Sequence, residues 1–217
     1  MIHTINTILW DWNGTLLNDT DICLLGINRL LVKRNLPELN KEKYRNIFTF
    51  PVKDYYLAAG FNFEEEPFET PAEEFILEYK SLLNKASLFE DVFDTLELFR
   101  RKGLRQFIIS AMEQNALEDS VKQWGVSKFF DQICGVEDNL AFSKVHRGKD
   151  LIQRKALDPE KTLMVGDTLH DFEVAEELGI KTFLVSRGHQ HHARLKKTGC
   201  PVFEDFSRLL KHLNGHP

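Results

Sequence analysis

The chain has 217 residues, 42% of them apolar, which is enough for one sizeable domain or for a core domain with a smaller one inserted. Its 28 basic and 33 acidic residues leave a net charge of −5, which favours a soluble protein and gives no support to nucleic-acid binding through a basic face. No apolar run approaches the roughly 20 residues that span a membrane, Met1–Thr4 carry no basic leader, and Cys23, Cys134 and Cys200 lack CxxC spacing, so a cytoplasmic setting with reduced thiols is expected.

Ile5 to Trp10 is β-branched and apolar and reads as a short buried strand that ends at Asp11, before an Asn13-Gly14 turn. From Asp19 to Lys33, Ile22, Leu25, Ile27, Leu30 and Leu31 recur at helical spacing, with Asp19 or Thr20 as the cap. Helical pieces are expected at 41–49, 51–59 and 71–84, punctuated by Pro37, Pro51, Pro67 and Pro71. The stretch has little strand signal and reads as an all-helical insertion.

Beyond Phe89 the pattern changes. Asp91 to Lys102 reads as an amphipathic helix closed by Gly103. Gln106 to Ile109 reads as a strand ending at Ser110, and Gln114 to Gln123 as a helix closed near Gly125. A strand is expected at 130–134, a helix at 149–155, a strand at 162–165, a helix at 171–177, a strand at 181–185 and a last helix at 204–213. Strands alternating with helices predict a mainly parallel sheet covered on both faces, with ligands beyond the carboxyl ends of the strands.

Asp11, Ser110 and Asp167 each follow such a strand. Asp and Ser are also common turn residues, so no single one is telling. Their recurrence, together with Asp171 four residues after Asp167, points to one acidic site. Paired carboxylates suit Mg²⁺, which takes hard oxygen ligands. Asp11 is placed to attack phosphorus, with Mg²⁺ and a lysine offsetting the charge repulsion. The hydroxyls of Thr15 and Ser110, and the backbone N–H groups around Gly14 and Ala111, are candidate donors to phosphoryl oxygens.

These motifs, Asp11-Trp12-Asn13-Gly14-Thr15 and Gly166-Asp167-Thr168 with Asp171, resemble those of the haloacid dehalogenase-like hydrolase superfamily, and within it the phosphoglycolate phosphatase-like members. The resemblance covers essentially the whole chain. It implies an α/β fold with a Rossmann-like parallel sheet core, residues 1–17 and 86–217. It also implies a small all-helical cap inserted after the first strand, residues 18–85. It implies Asp11 as nucleophile, Ser110 as the second motif, and Asp11, Asn13, Asp167 and Asp171 around Mg²⁺, Asn13 through its backbone carbonyl. Asp11, Gly14, Ser110, Ala111 and a lysine would contact a small phosphorylated substrate. Lys144, after Phe142-Ser143 in an expected loop, is favoured for that lysine; Lys149, at the start of the next helix, is the alternative. A monomer or weak homodimer is expected, with no nucleic-acid or membrane partner.

Asn13 departs from the resembling pattern, where an Asp protonates the leaving alcohol and activates water. Asn cannot act as an acid–base group. Three outcomes stay open: a slow phosphatase, another proton carrier with His170 nearest in sequence, or a protein that binds phosphorylated ligands without turnover. A C–P or C–halogen hydrolase is a further alternative. The C–P version would need a cap amine such as that of Lys33, Lys41, Lys43 or Lys53. His189, His191 and His192 form a cluster without a matched ligand set, expected on a surface loop, with His189 near the pocket rim. Phe50, Tyr55 and Tyr56 face either substrate or neighbouring helices. Trp10 is expected in the core, and Trp12 either there or against the cap or ligand. Glu64 to Glu66 read as a solvated face.

Overall fold

The computed structural model describes residues 5–136 and 143–214. The segments Met1–Thr4 and Phe142, used above for the leader and for the loop before Lys144, lie outside the described residues. A six-stranded sheet forms the centre, in the order β5-β4-β1-β6-β7-β8, and all its neighbouring pairs are parallel. Its strands are β1 (Thr7–Trp10), β4 (Arg105–Glu113), β5 (Gln132–Val136), β6 (Thr162–Gly166), β7 (Lys181–Val185) and β8 (Val202–Phe203). Alternation along the central strands sorts their side chains onto two faces. Ile8, Trp10, Ile108, Leu163 and Val165 meet α5 (Val92–Arg101), α6 (Gln114–Gln123) and α10 (Phe206–Leu213) on one face. Leu9, Phe107, Ile109 and Met164 meet α7 (Ser143–Arg154) and α8 (Leu169–Leu178) on the other. Trp10 lies in the first of these cores, as expected. Trp12 lies there too, fully buried, with its indole N–H donating to Ser120 Oγ at 3.1 Å, and it is not among the residues lining the cavity between cap and sheet.

Four helices, α1 (Thr20–Lys33), α2 (Lys41–Ile47), α3 (Val52–Ala59) and α4 (Glu69–Leu82), form the helical cap after the first strand. They bury their own core of Cys23, Ile27, Leu30, Leu31, Tyr44, Tyr55, Tyr56 and Phe61. The antiparallel pair β2 (Leu17–Asn18) and β3 (Ser87–Leu88) joins the two chain segments leading into and out of this layer. A four-residue helix, α9 (His192–Leu195), follows β7. Among the described residues no helix is long and apolar enough to cross a membrane.

Several expected boundaries move by a few residues, among them β5, expected at 130–134 and found at Gln132–Val136, and two shifts bear on the site. The strand expected to end at Ser110 continues to Glu113, with a register shift against β5 beyond Ile109. The helix expected from Lys149 already begins at Ser143, so Lys144 sits in its first turn and Lys149 in its middle. Gly148 interrupts the helical signal there. A Cβ there would come within 2.6 Å of the Leu178 side chain on α8, which would have to shift.

Candidate active site

The Asp11 N–H donates to Val165 O at 2.9 Å, which fixes the end of β1 beside the end of β6. Asp167 follows β6 by one residue, and Ser110 lies on β4 on the other side of β1. Lys144 reaches in from α7. Its Nζ donates to Asp11 Oδ1 at 2.7 Å and to Asp171 Oδ1 at 2.6 Å, and the side chain is 2% exposed. The Thr15 hydroxyl lies 3.1 Å from Asp11 Oδ2 and 3.0 Å from Asp167 Oδ1. Lys149 instead pairs with Glu177 at 3.4 Å on the exposed surface, remote from this cluster in its contacts.

The turn that carries this geometry depends on glycine. Gly14 has φ +73°, and a Cβ there would stand 2.4 Å from Asp167 Oδ2 and 2.5 Å from the His189 ring. A Cβ at Gly188 would stand 2.1 Å from the same Asp167 oxygen. Asp171 is fixed by a capping box: its Oδ2 accepts from the Thr168 N–H at 2.9 Å, the Thr168 hydroxyl at 2.7 Å and the Asp167 N–H at 3.1 Å. Its Oδ1 is the oxygen left to face Lys144.

Burial dominates the charge balance. It pushes the Asp11 carboxyl up to about 8, with the Asp171 charge adding to the rise and Lys144 opposing it. Burial likewise pushes Asp167 up to about 6, against the pull of His189. For Asp171, burial is outweighed by Lys144 and the Thr168 hydroxyl, which hold its carboxyl below the usual range. Asp11, Asp167 and Asp171 each offer an oxygen within 4.8 Å of the others. An all-oxygen, buried set whose own charges repel one another fits a hard divalent cation, which would relieve that repulsion.

Asn13 enters a second network that the sequence reading did not assemble. Its Nδ2 donates to Asp19 Oδ2 at 2.7 Å and to the Tyr79 hydroxyl at 2.8 Å; that hydroxyl donates to the same Asp19 oxygen at 2.8 Å. Asp19 Oδ1 accepts from the Gly14 N–H at 2.9 Å and lies 3.2 Å from His189 Nε2. His189 Nδ1 meets the Tyr44 hydroxyl at 2.8 Å, and the His189 backbone N–H donates to Asp167 Oδ2 at 2.6 Å. Asp19 therefore does not cap α1 with its side chain. His189 is buried, not on a surface loop; His191 and His192 remain half-exposed. Burial opposes a charged imidazole, but Asp19 pushes His189 up to about 9. Asp19 itself is held below the usual range, chiefly by His189 against the effect of burial.

Arg187 completes the frame, donating to Thr15 O at 3.1 Å while pairing with Asp91 at 2.6 Å. From the cap, Arg45 donates to the carbonyls of Ser186 and Gln190. Asp19, Tyr44, Arg45, Tyr79 and Arg187 were not predicted. Each sits in a stretch that reads as an ordinary helix or loop, and only the tertiary fold brings them to the carboxylates. A cavity of about 470 Å³ lies between cap and sheet. It is lined by Asp11, Asn13, Ser110, Ala111, Lys144 and Asp167 on one side, and by Phe50, Tyr55 and Tyr56 on the other.

This pairing of sheet, cap and carboxylates is that of a known class. The family model for haloacid dehalogenase-like hydrolases matches residues 8–185, and the chain belongs to that family. Among its relatives is the pyrophosphatase PpaX of Anoxybacillus flavithermus, 26% identical over 197 residues, covering 87% of this chain and 88% of the relative. Two solved structures share the fold. One is a haloacid dehalogenase-like family hydrolase from Streptococcus pneumoniae, at TM-score 0.83 and 21% identity, covering 97% of this chain and 99% of that one. The other is a predicted phosphoglycolate phosphatase from Haemophilus somnus, at TM-score 0.76 and 20% identity, covering 96% of this chain and 97% of that one.

Proposed function

We propose that the chain is a Mg²⁺-dependent hydrolase of a small phosphorylated metabolite, acting through an aspartyl-phosphate on Asp11. The observation that carries this reading is the Lys144 ammonium bridging Asp11 and Asp171, with Asp167 joined to Asp11 through Thr15. The names of the pyrophosphatase and phosphoglycolate phosphatase relatives support the same reaction class.

In this reading Asp11 attacks phosphorus and the bond to the leaving oxygen breaks. The acyl phosphate then yields to water, which restores the carboxylate. Lys144 orients Asp11 and neutralises incoming phosphoryl charge. The Ser110 Oγ accepts from the Met112 N–H at 3.1 Å, which leaves the hydroxyl proton for a phosphoryl oxygen. Asp11, Asp167 and the backbone carbonyl of Asn13 would hold Mg²⁺. Asp171, whose oxygens are taken by Thr168, Asp167 and Lys144, would act on the ion from behind Lys144 or through water. Mg²⁺ supplies electrophilic stabilisation of the transferring phosphoryl group. The three-carboxylate set favours this reading over a metal-free dehalogenase.

Purified protein with Mg²⁺ should release phosphate from a panel of small phosphate esters, and Asp11→Asn or chelation should abolish the release. No Asp11-dependent release across the panel would sink the proposal. A second reading, ligand binding without turnover, is favoured by the engagement of Asn13 with Asp19 and Tyr79. Thermal stabilisation by phosphate esters that are never cleaved would select it.

A further inference from the structure

We infer that the site is built for the phosphate monoester of a phenol, a reading that rests on the hydrolase function proposed above. Two independent observations converge on this chemistry: the proton economy at Asn13 and the wall of the cavity.

The first concerns the leaving group. Asn13 has no proton to give, and its amide is bonded to Asp19 and Tyr79. Asp19 does not replace it, because its two oxygens already accept from Asn13, Tyr79 and Gly14 and face His189. Nor does His170, which packs on Phe50 at 4.7 Å and is not among the cavity-lining residues, or His189, whose ring nitrogens are engaged by Asp19 and the Tyr44 hydroxyl. An alkoxide departs poorly without a proton, its parent acid being nearly as weak as water, near about 16. A phenolate, from a parent acid near about 10, departs with far less help; phosphate departs from pyrophosphate at least as readily, and the charge of the cavity wall separates those two. In the balanced step, an Asp11 oxygen bonds to phosphorus while the aryl oxygen–phosphorus bond breaks. The aryl oxygen keeps the electron pair and takes a proton from solvent.

The second concerns the body of the substrate. The cap side of the cavity is walled by Phe48, Phe50, Tyr55, Phe68, Phe75 and Ile76. Its volume, about 470 Å³, suits a small organic ligand. The cations lining it, among the described residues, are Lys144, His189 and Lys80. Lys144 is held by Asp11 and Asp171, and His189 by Asp19. Lys80 is an exposed lining residue, as are Glu69 and Glu73. No buried cation therefore remains among the described lining residues to receive a second anion such as a carboxylate or phosphate on the leaving group. Tyr55 is 2% exposed and contributes its apolar ring to this wall. An aromatic ring fits against such a wall.

The test measures kcat/KM of the natural protein with Mg²⁺ on phenyl phosphate, 2-phenylethyl phosphate, phosphoglycolate and pyrophosphate. Phenyl phosphate should exceed 2-phenylethyl phosphate and phosphoglycolate by about 100-fold or more, the low end of what a general acid contributes, whereas pyrophosphate, whose leaving phosphate needs no general acid, should be disfavoured through a KM about tenfold or more higher. Ile76→Lys, or Val52→Lys if that variant does not fold, adds a cation to the wall. It should raise KM for phenyl phosphate and lower KM for pyrophosphate, each by about tenfold, the worth of one modest charge interaction. Phosphoglycolate, pyrophosphate or phenylethyl phosphate used as well as phenyl phosphate overturns the inference and leaves the hydrolase reading standing. Unchanged selectivity in the lysine variant also overturns it. Asp11-independent release, or none from any of the four, removes both.

Discussion

Asn13→Asp restores the acid–base group of the resembling pattern, but the structure predicts that it fails alone. The new carboxylate would stand where Asn13 Nδ2 is now, 2.7 Å from Asp19 Oδ2. Two charges about 4 Å apart at an effective dielectric near 20 repel by roughly 4 kcal/mol. Sharing one proton limits that cost. Keeping a carboxyl protonated from its ordinary value near 3.9 up to pH 7 takes roughly 4 kcal/mol, and up to pH 5 only about 1.5 kcal/mol. The partial exposure of Asn13 reduces both figures. For a chain of this size each kcal/mol moves Tm by roughly 2–4 °C. The metal-free variant should therefore melt about 10 °C below the natural protein at pH 7 and about 4 °C below it at pH 5. The sign follows from linkage: sharing a proton raises the folded-state pKa of the pair, so stability falls as pH rises through it. Melting curves at pH 5, 6, 7 and 8 test this, with Asn13→Asp/Asp19→Asn expected to recover the loss. Phosphatase activity on alkyl esters should rise by about 100-fold or more only in that double variant. A deficit that does not change with pH, or a single variant as stable as the natural protein at pH 7, would refute the proposed contact.

Lys144→Met leaves Asp11 and Asp171 facing each other across a buried gap, at a cost of about 3–5 kcal/mol; melting without Mg²⁺ should show it, added Mg²⁺ should recover part of it, and phosphate release should vanish. Because Asp19 pushes His189 up to about 9, that pair adds stability that is fully present below about 6.5 and is lost as pH rises through about 9. His189→Asn should flatten the pH dependence of Tm across that window, and an unchanged slope counts against the pair. Mg²⁺ must displace protons from Asp11, pushed up to about 8, and Asp167, pushed up to about 6, so calorimetry near pH 6.5 in buffers of differing ionisation enthalpy should report proton release. Ser120→Ala strands the Trp12 indole N–H and should cost about 1–3 kcal/mol while leaving kcat unchanged.

The order of strands and helices was legible because buried parallel strands are short apolar runs and their carboxyl ends carry the polar residues. Asp11 and Asp167 could be read for that reason. Two-residue strands such as β2, β3 and β8 have no period to read, and they were missed. Ser110 was expected at a strand end, but its strand runs on through Met112 and Glu113, because half-exposed residues at a sheet end look like loop. Lys144 was expected in a loop and lies in the first turn of α7, since a polar run containing Gly148 does not read as the first turns of a helix. The network around Asn13 was legible only at His189, expected near the pocket rim. Asp19 has the sequence position of a helix cap and Tyr79 lies far along the chain, and only packing of α1, α4 and the loop after β7 against the turn after β1 joins them.

Arg45 and Arg194 bind main-chain carbonyls where the cap meets the loop after β7. Arg45 reaches Ser186 O and Gln190 O, Arg194 reaches Phe48 O at 2.6 Å, and the His191 N–H donates to Arg45 O at 3.1 Å. A carbonyl is present whatever side chain it accompanies. The loop can therefore accept changes at Ser186 and His191 without loosening the cap, whereas loss of either arginine breaks several contacts at once. Drift at this seam should accumulate in the acceptors' side chains and spare the two donors.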